Sequence, residues 1–122
     1  MIETLVVCVT LLVSDGDTIK CNGQLMRLLG SGIPHVVGID TPELRTWKCE
    51  KERKLAKLAK NRLKELMQHP GVRVMLSGEM DDTGKRPLVN IYLPDGREIG
   101  AMLLREGFAR EWRKGKKNDW CD

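Results

Sequence analysis

A chain of 122 residues is one domain's worth of sequence. With 41% hydrophobic residues it can bury one modest core, too little for two, and it needs no disulfide to fold. Charged residues make up 31%, the net charge is +4 and the pI is near 9.0. Such a mildly basic surface favours polyanions such as nucleic acid or anionic lipid, and is also common among ordinary soluble proteins.

Cys8, Cys21, Cys49 and Cys121 form no Cys-x-x-Cys pair, and His35 and His69 are not near them in sequence, which argues against a structural zinc site. Buried or half-buried thiols are the simplest expectation. If a disulfide forms, Cys121 is the best placed to staple the tail to the body, and the pairing stays open. Residues 5–13, Leu-Val-Val-Cys-Val-Thr-Leu-Leu-Val, are about half a membrane span. No basic segment precedes this run and no small-residue cleavage site follows it, so a buried strand is expected rather than a signal core, with the cytoplasm slightly favoured as compartment.

In chain order, strands are predicted at 5–13, 17–21, 24–29 and 35–39, broken at Ser14-Asp15-Gly16, Asn22-Gly23 and Gly30-Ser31-Gly32. Asn22-Gly23 suits a type I′ hairpin turn. One helix is predicted over 50–68, with Leu55, Leu58, Ala59, Leu63, Leu66 and Met67 on its apolar stripe, lysines over much of the rest, and Pro70-Gly71 ending it. Strands follow at 72–76 and 87–93. A short helix over about 98–106 turns Ile99, Met102 and Leu103 inward and stops at Gly107. From Arg110 the chain reads as a basic, tryptophan-marked tail. Short strands interleaved with helices at this length predict a small mainly β barrel with helices packed on it, an OB-fold in a single domain over 1–122.

The acids carry the chemistry. Asp15 and Asp17 flank a glycine between two strands; Asp40 and Glu43 flank Thr41-Pro42 at the end of an apolar run. Pro42 restrains the backbone beside Asp40. Two such corners, if they meet, can hold a hard cation through oxygen. Alone, Asp-Gly-Asp is an ordinary turn and Asp-Thr-Pro-Glu an ordinary helix start.

The order of motifs adds to this. Asp15-Gly16-Asp17-Thr18-Ile19-Lys20, Met26-Arg27-Leu28-Leu29-Gly30, Gly38-Ile39-Asp40-Thr41-Pro42-Glu43, Lys48-Cys49-Glu50-Lys51-Glu52, and the stretch from Asp95-Gly96 to Gly107-Phe108-Ala109 together resemble the staphylococcal nuclease (thermonuclease) family. The likeness runs from about residue 5 to residue 112. The chain is also similar to bacterial homologues that end in a Lys-Lys-x-Asp-Trp-Cys segment. The resemblance implies a five-stranded OB-fold barrel with about three helices and a calcium-dependent nuclease acting on DNA and RNA. It assigns Asp17, Asp40 and the Thr41 carbonyl to Ca2+, and Glu43 to the attacking water. It implies neither a membrane nor a protein partner.

The arginines depart from the family pattern. His35 stands five residues before Asp40, where the family's first arginine usually lies, and Arg27, in an Arg-Leu-x-Gly run followed by an inserted Ser31–Gly38 segment, is assigned that role instead. For the second, a count from Gly84 gives Lys85 and a count back from the strand gives Arg86. Arg86 is preferred because a guanidinium binds two phosphate oxygens at once and lysine does not, which leaves Lys85 as a substrate contact. Thr83 replaces a customary tyrosine, and Trp112 is the candidate stacking face for a base. The alternative is a catalytically weak or inactive nuclease-like module that binds nucleic acid or protein. An oxygen-ligand metal protein with no nucleic-acid role has only the acids behind it.

Overall fold

The computed structural model describes residues 2–122. Its elements in chain order are β1 (Thr4–Val6), β2 (Leu11–Asp15), β3 (Thr18–Cys21), β4 (Gln24–Leu28), β5 (Val37–Asp40), α1 (Glu50–Met67), β6 (Arg73–Met80), β7 (Pro87–Tyr92), α2 (Ile99–Arg105) and β8 (Arg110–Arg113). Six strands form one mixed sheet in the order β1-β6-β7-β4-β3-β2, with β4 and β7 parallel and the other neighbours antiparallel. β5 and β8 pair as a separate antiparallel ribbon.

The expected barrel is corrected in two respects. The sheet does not close on itself, and among the described residues there are two helices rather than about three. Residues 5–13 supply two strands, β1 and β2, at opposite edges of the sheet. A flat sheet of six strands would hold its edges roughly 24 Å apart, whereas the chain from Val6 to Leu11 can span at most about 18 Å. The sheet therefore curls, and the crossing is pinned by side chains instead of a ladder. Asn22 Nδ2 donates to the Val7 carbonyl at 2.8 Å and Asn22 Oδ1 accepts from the Val9 N–H at 2.7 Å.

The cysteines are also corrected: they form two disulfides, Cys8–Cys21 at this crossing and Cys49–Cys121 at the start of α1. The turn at Asn22-Gly23 is as expected, with φ of 51° and 83°. A further correction concerns the segment from Arg110. It begins with a strand, because Arg110 to Arg113 register against Asp40 to Val37.

The core gathers Ile19, Leu28, Ile39, Leu63, Val89 and Ile91, all fully buried. α1 turns Glu52, Ala56, Ala59, Leu63 and Leu66 inward, while Leu58, expected on that stripe, is exposed. The two alanines let β2 and its turn come close. α2 buries Ile99, Met102 and Leu103 as expected, and Gly107 follows it with φ of 83°.

Candidate active site

The first acidic corner is the turn between β2 and β3. A Cβ on Gly16 would lie 2.7 Å from the Ala59 Cβ and 3.1 Å from the Thr41 Cβ, so only glycine lets the turn rest on α1. This contact fixes the flanking acids. The Asp17 side chain is buried, and its carboxylate accepts from the Thr18 hydroxyl at 3.0 Å and from the Thr41 N–H at 3.4 Å. The second corner therefore donates its own backbone to the first, and the two acidic motifs meet.

Asp40 ends β5, paired with Arg110 of β8. Asn118 Nδ2 donates to Asp40 Oδ2 at 3.2 Å. Glu43 sits in the loop that leads to α1, and Glu52 organises that loop. Its carboxylate is buried and accepts from the Glu43 N–H at 3.1 Å and from the Lys48 N–H at 2.8 Å. Cys49 caps α1 and its sulfur accepts from the Glu52 N–H. Glu52 thus reaches back across the helix start in the manner of a capping box.

Burial pushes the Asp15, Asp40 and Glu43 carboxyls above their usual range, Asp17 pushes all three further, and Asp40, Asp15 and Glu52 add to this at Glu43. The Asn118 amide opposes this at Asp40, and Arg45 opposes it at Asp15. Asp15 Oδ1 is buried with no hydrogen-bond partner. An all-oxygen donor set, crowded in like charge and with one buried oxygen unpaired, fits a hard divalent cation. Among the described residues no three Asp, Glu, His or Cys side chains form a ready-made cage. A cation here would rest on two carboxylates, a backbone carbonyl and water, which is ordinary for calcium.

The two expected arginines flank this corner. Arg27, on β4 opposite Thr18, donates from Nη2 to the Ile39 carbonyl at 3.0 Å, and the same nitrogen lies 3.6 Å from Asp17 Oδ2. Arg86 Nη1 reaches the Thr18 hydroxyl at 3.4 Å, while its Nε pairs with Asp81 Oδ2 at 2.6 Å. Burial opposes ionisation of Asp81. The Thr83 hydroxyl and the Arg86 groups outweigh it and hold the carboxyl well below the usual range, so Asp81 is a fixed anion that aims Arg86.

Arg27, Arg86 and Trp112 share an apolar recess of about 270 Å³, roofed by the 31–36 turn. That turn covers the recess, and His35, at φ of 65°, pairs with Asp82 at 2.7 Å and not with the acidic corner. Trp112 faces Gly38 across the β5–β8 ribbon and lines both this recess and the acidic cleft, the latter about 320 Å³. The structure does not bring Lys85 to the acids. It is exposed on the outer side of its turn, against Gly23, Gln24 and Leu25.

Four residues outside the sequence expectations shape the site: Glu52, Asp81, Asn118 and Trp120. Glu52 carries a legible signal, its spacing of three from the cap, and Asp81 opens an Asp-Asp-Thr-Gly turn. Asn118 and Trp120 carry none, because a disulfide with a sequence separation of 72 brings their segment to Asp40.

A curled mixed sheet that presents two acidic corners beside two guanidinium groups defines a small β protein with a cleft lined by both signs of charge. The sequence model for the family described as staphylococcal nuclease homologue matches residues 35–120, more than half of the chain, and the chain belongs to that family. No curated protein matches the chain. No helix among the described residues is long and apolar enough to cross a membrane.

Proposed function

We propose that this protein is a calcium-dependent nuclease that hydrolyses phosphodiester bonds in DNA, RNA or both. The observation that carries this reading is the meeting of Asp17, Asp40 and Glu43 in one corner, with Arg27 and Arg86 on its flank. In this reading Asp17, Asp40 and the Thr41 carbonyl hold the cation. When bound, calcium neutralises charge on the phosphate and aligns a water. Glu43, with its carboxyl raised and its backbone fixed by Glu52, orients that water and takes its proton. Arg27 and Arg86 receive the non-bridging oxygens and the negative charge that develops on them. Trp112 offers its face to a neighbouring base. Two disulfides suit an oxidising compartment better than the cytosol, and we place the protein's work there.

The test is cleavage of a labelled single-stranded oligonucleotide with calcium and with chelator. Cleavage with calcium alone is expected, and Asp40→Ala and Glu43→Gln should each lower kcat by about 100-fold or more. Full activity in either variant would remove the role given to that residue.

One observation favours the alternative, a weak or inactive binding module. Both guanidinium groups are already engaged, Arg27 with the Ile39 carbonyl and Arg86 with Asp81. A binder would shift the oligonucleotide in a salt-dependent way and leave it intact after long incubation with calcium.

A further inference from the structure

Beyond β8 the chain forms no helix or strand, yet it does not leave the molecule. It turns at Lys114-Gly115 and runs back along the acidic cleft as a strap. Asn118 donates both to Asp40 and to the Glu111 carbonyl. The Asp119 carbonyl accepts from Arg110 Nη1 at 2.7 Å, and Trp120 is buried with the Arg110 guanidinium 4.2 Å above its ring. Lys116 and Lys117 line the same cleft as Glu43 and Arg27. Apart from Trp120, residues 114–122 bury little, and polar contacts to Asn118, Asp119 and Asp122 hold the strap from Asp40, Glu111, Arg110 and Lys51. The covalent hold is Cys49–Cys121, which ties it to the cap of α1 beside Glu52. Cys49 and Cys121 are both half-buried, whereas in the other bridge Cys8 is half-buried and Cys21 is 1% exposed.

We propose that Cys49–Cys121 is a redox latch on the acidic site: closed, it holds Asn118 as a positioning residue against Asp40; opened, it frees the strap and leaves Asp40 without that anchor. The inference rests on the reading of Asp40 as a calcium ligand. The opening step needs a dithiol. One of its thiolates attacks a sulfur of the bridge and expels the other cysteine as thiolate; the second thiol resolves the mixed disulfide. Two electrons and two protons pass from the dithiol to the protein, giving two cysteine thiols and the oxidised dithiol. Attack needs access to a sulfur, and both cysteines of this bridge are half-buried against one of Cys8–Cys21.

The experiment compares the oxidised wild-type chain with Cys49→Ser/Cys121→Ser and with Asn118→Ala, which keeps the bridge. Calcium binding is measured by calorimetry without nucleic acid, alongside oligonucleotide cleavage and amide exchange over residues 114–122, with and without dithiothreitol. Both variants are expected to bind calcium about tenfold or more weakly than wild type, the range usual for a lost partner of a metal ligand. Asn118→Gln, which keeps an amide donor, should recover part of the loss. Dithiothreitol should bring the wild type to the same weak binding with fast exchange in the strap, leave the double variant unchanged, and be reversed by reoxidation. Equal calcium affinity in wild type and both variants, with cleavage intact, would overturn the latch alone. A wild-type chain that neither binds calcium nor cleaves would overturn the nuclease reading and the latch with it.

Discussion

Asp15 shows what gathering the acids costs in stability. Its carboxyl is raised from the ordinary 3.8 by burial and by Asp17, and one of its oxygens has no partner. A carboxyl raised in the folded state binds its proton more tightly there than in the unfolded chain. The associated stability is present below the ordinary carboxylate range and is lost as pH rises through the higher, folded value. The same sign holds for Asp40 and Glu43. In chelator, therefore, the urea midpoint should fall as pH climbs out of the carboxylate range, and Asp15→Asn should flatten that fall and raise the midpoint at neutral pH. The gain is about 1 kcal/mol at most, because the group is partly solvated. Calcium should reverse the slope, adding about 3 kcal/mol at a hundredfold excess over its Kd. A neutral-pH midpoint that Asp15→Asn lowers would contradict this account of the corner.

At the scale of elements, the site depends on how closely the β2–β3 turn approaches α1. Gly16→Ala forces a Cβ into the Ala59 Cβ at 2.7 Å and should cost about 1–3 kcal/mol. It should also weaken calcium binding, since Asp17 moves with the turn. Ala59→Gly in the same chain removes the clash, and a double-mutant cycle should show a favourable coupling of about 1 kcal/mol beyond additivity; strict additivity would mean that the turn is held by something else. The sequence misleads beside this contact. The 3.6-residue period places a stripe on α1 and puts Ala59 under Gly16, but the stripe's edge is misjudged: Ala56 is buried and Leu58 faces out. Arg110 to Arg113 has no apolar alternation to mark a strand, and becomes one only because β5 offers an edge. Asp-Gly-Asp and Asp-Thr-Pro-Glu were legible because each acts over a few residues. The course of the Ser31–Val36 turn was not, since it depends on His35 meeting Asp82 from a distant turn.

For the whole molecule, the net charge of +4 includes lysines gathered at the acidic cleft. Lys48, Lys116 and Lys117 all border the cleft that holds Asp40 and Glu43. If these three neutralise a phosphate each, binding of a single strand by Glu43→Gln in chelator should weaken by roughly tenfold or more between about 50 and 200 mM salt. Lys116→Ala/Lys117→Ala should lower the slope of log K against log salt by about 1.4. An unchanged slope would place the strand elsewhere on the surface.

The strap has one more consequence, and it concerns biosynthesis. Asn118 lies 78 residues beyond Asp40 in the chain. At a translation rate of about 5–20 residues per second, the amide follows its carboxylate out of the ribosome by roughly 4–16 seconds. Throughout that interval the nascent chain carries both acidic corners but neither the anchor nor the sulfur that would secure it. On the reading proposed above, a hydrolase of nucleic acid stays unfinished through those seconds beside a machine built largely of RNA.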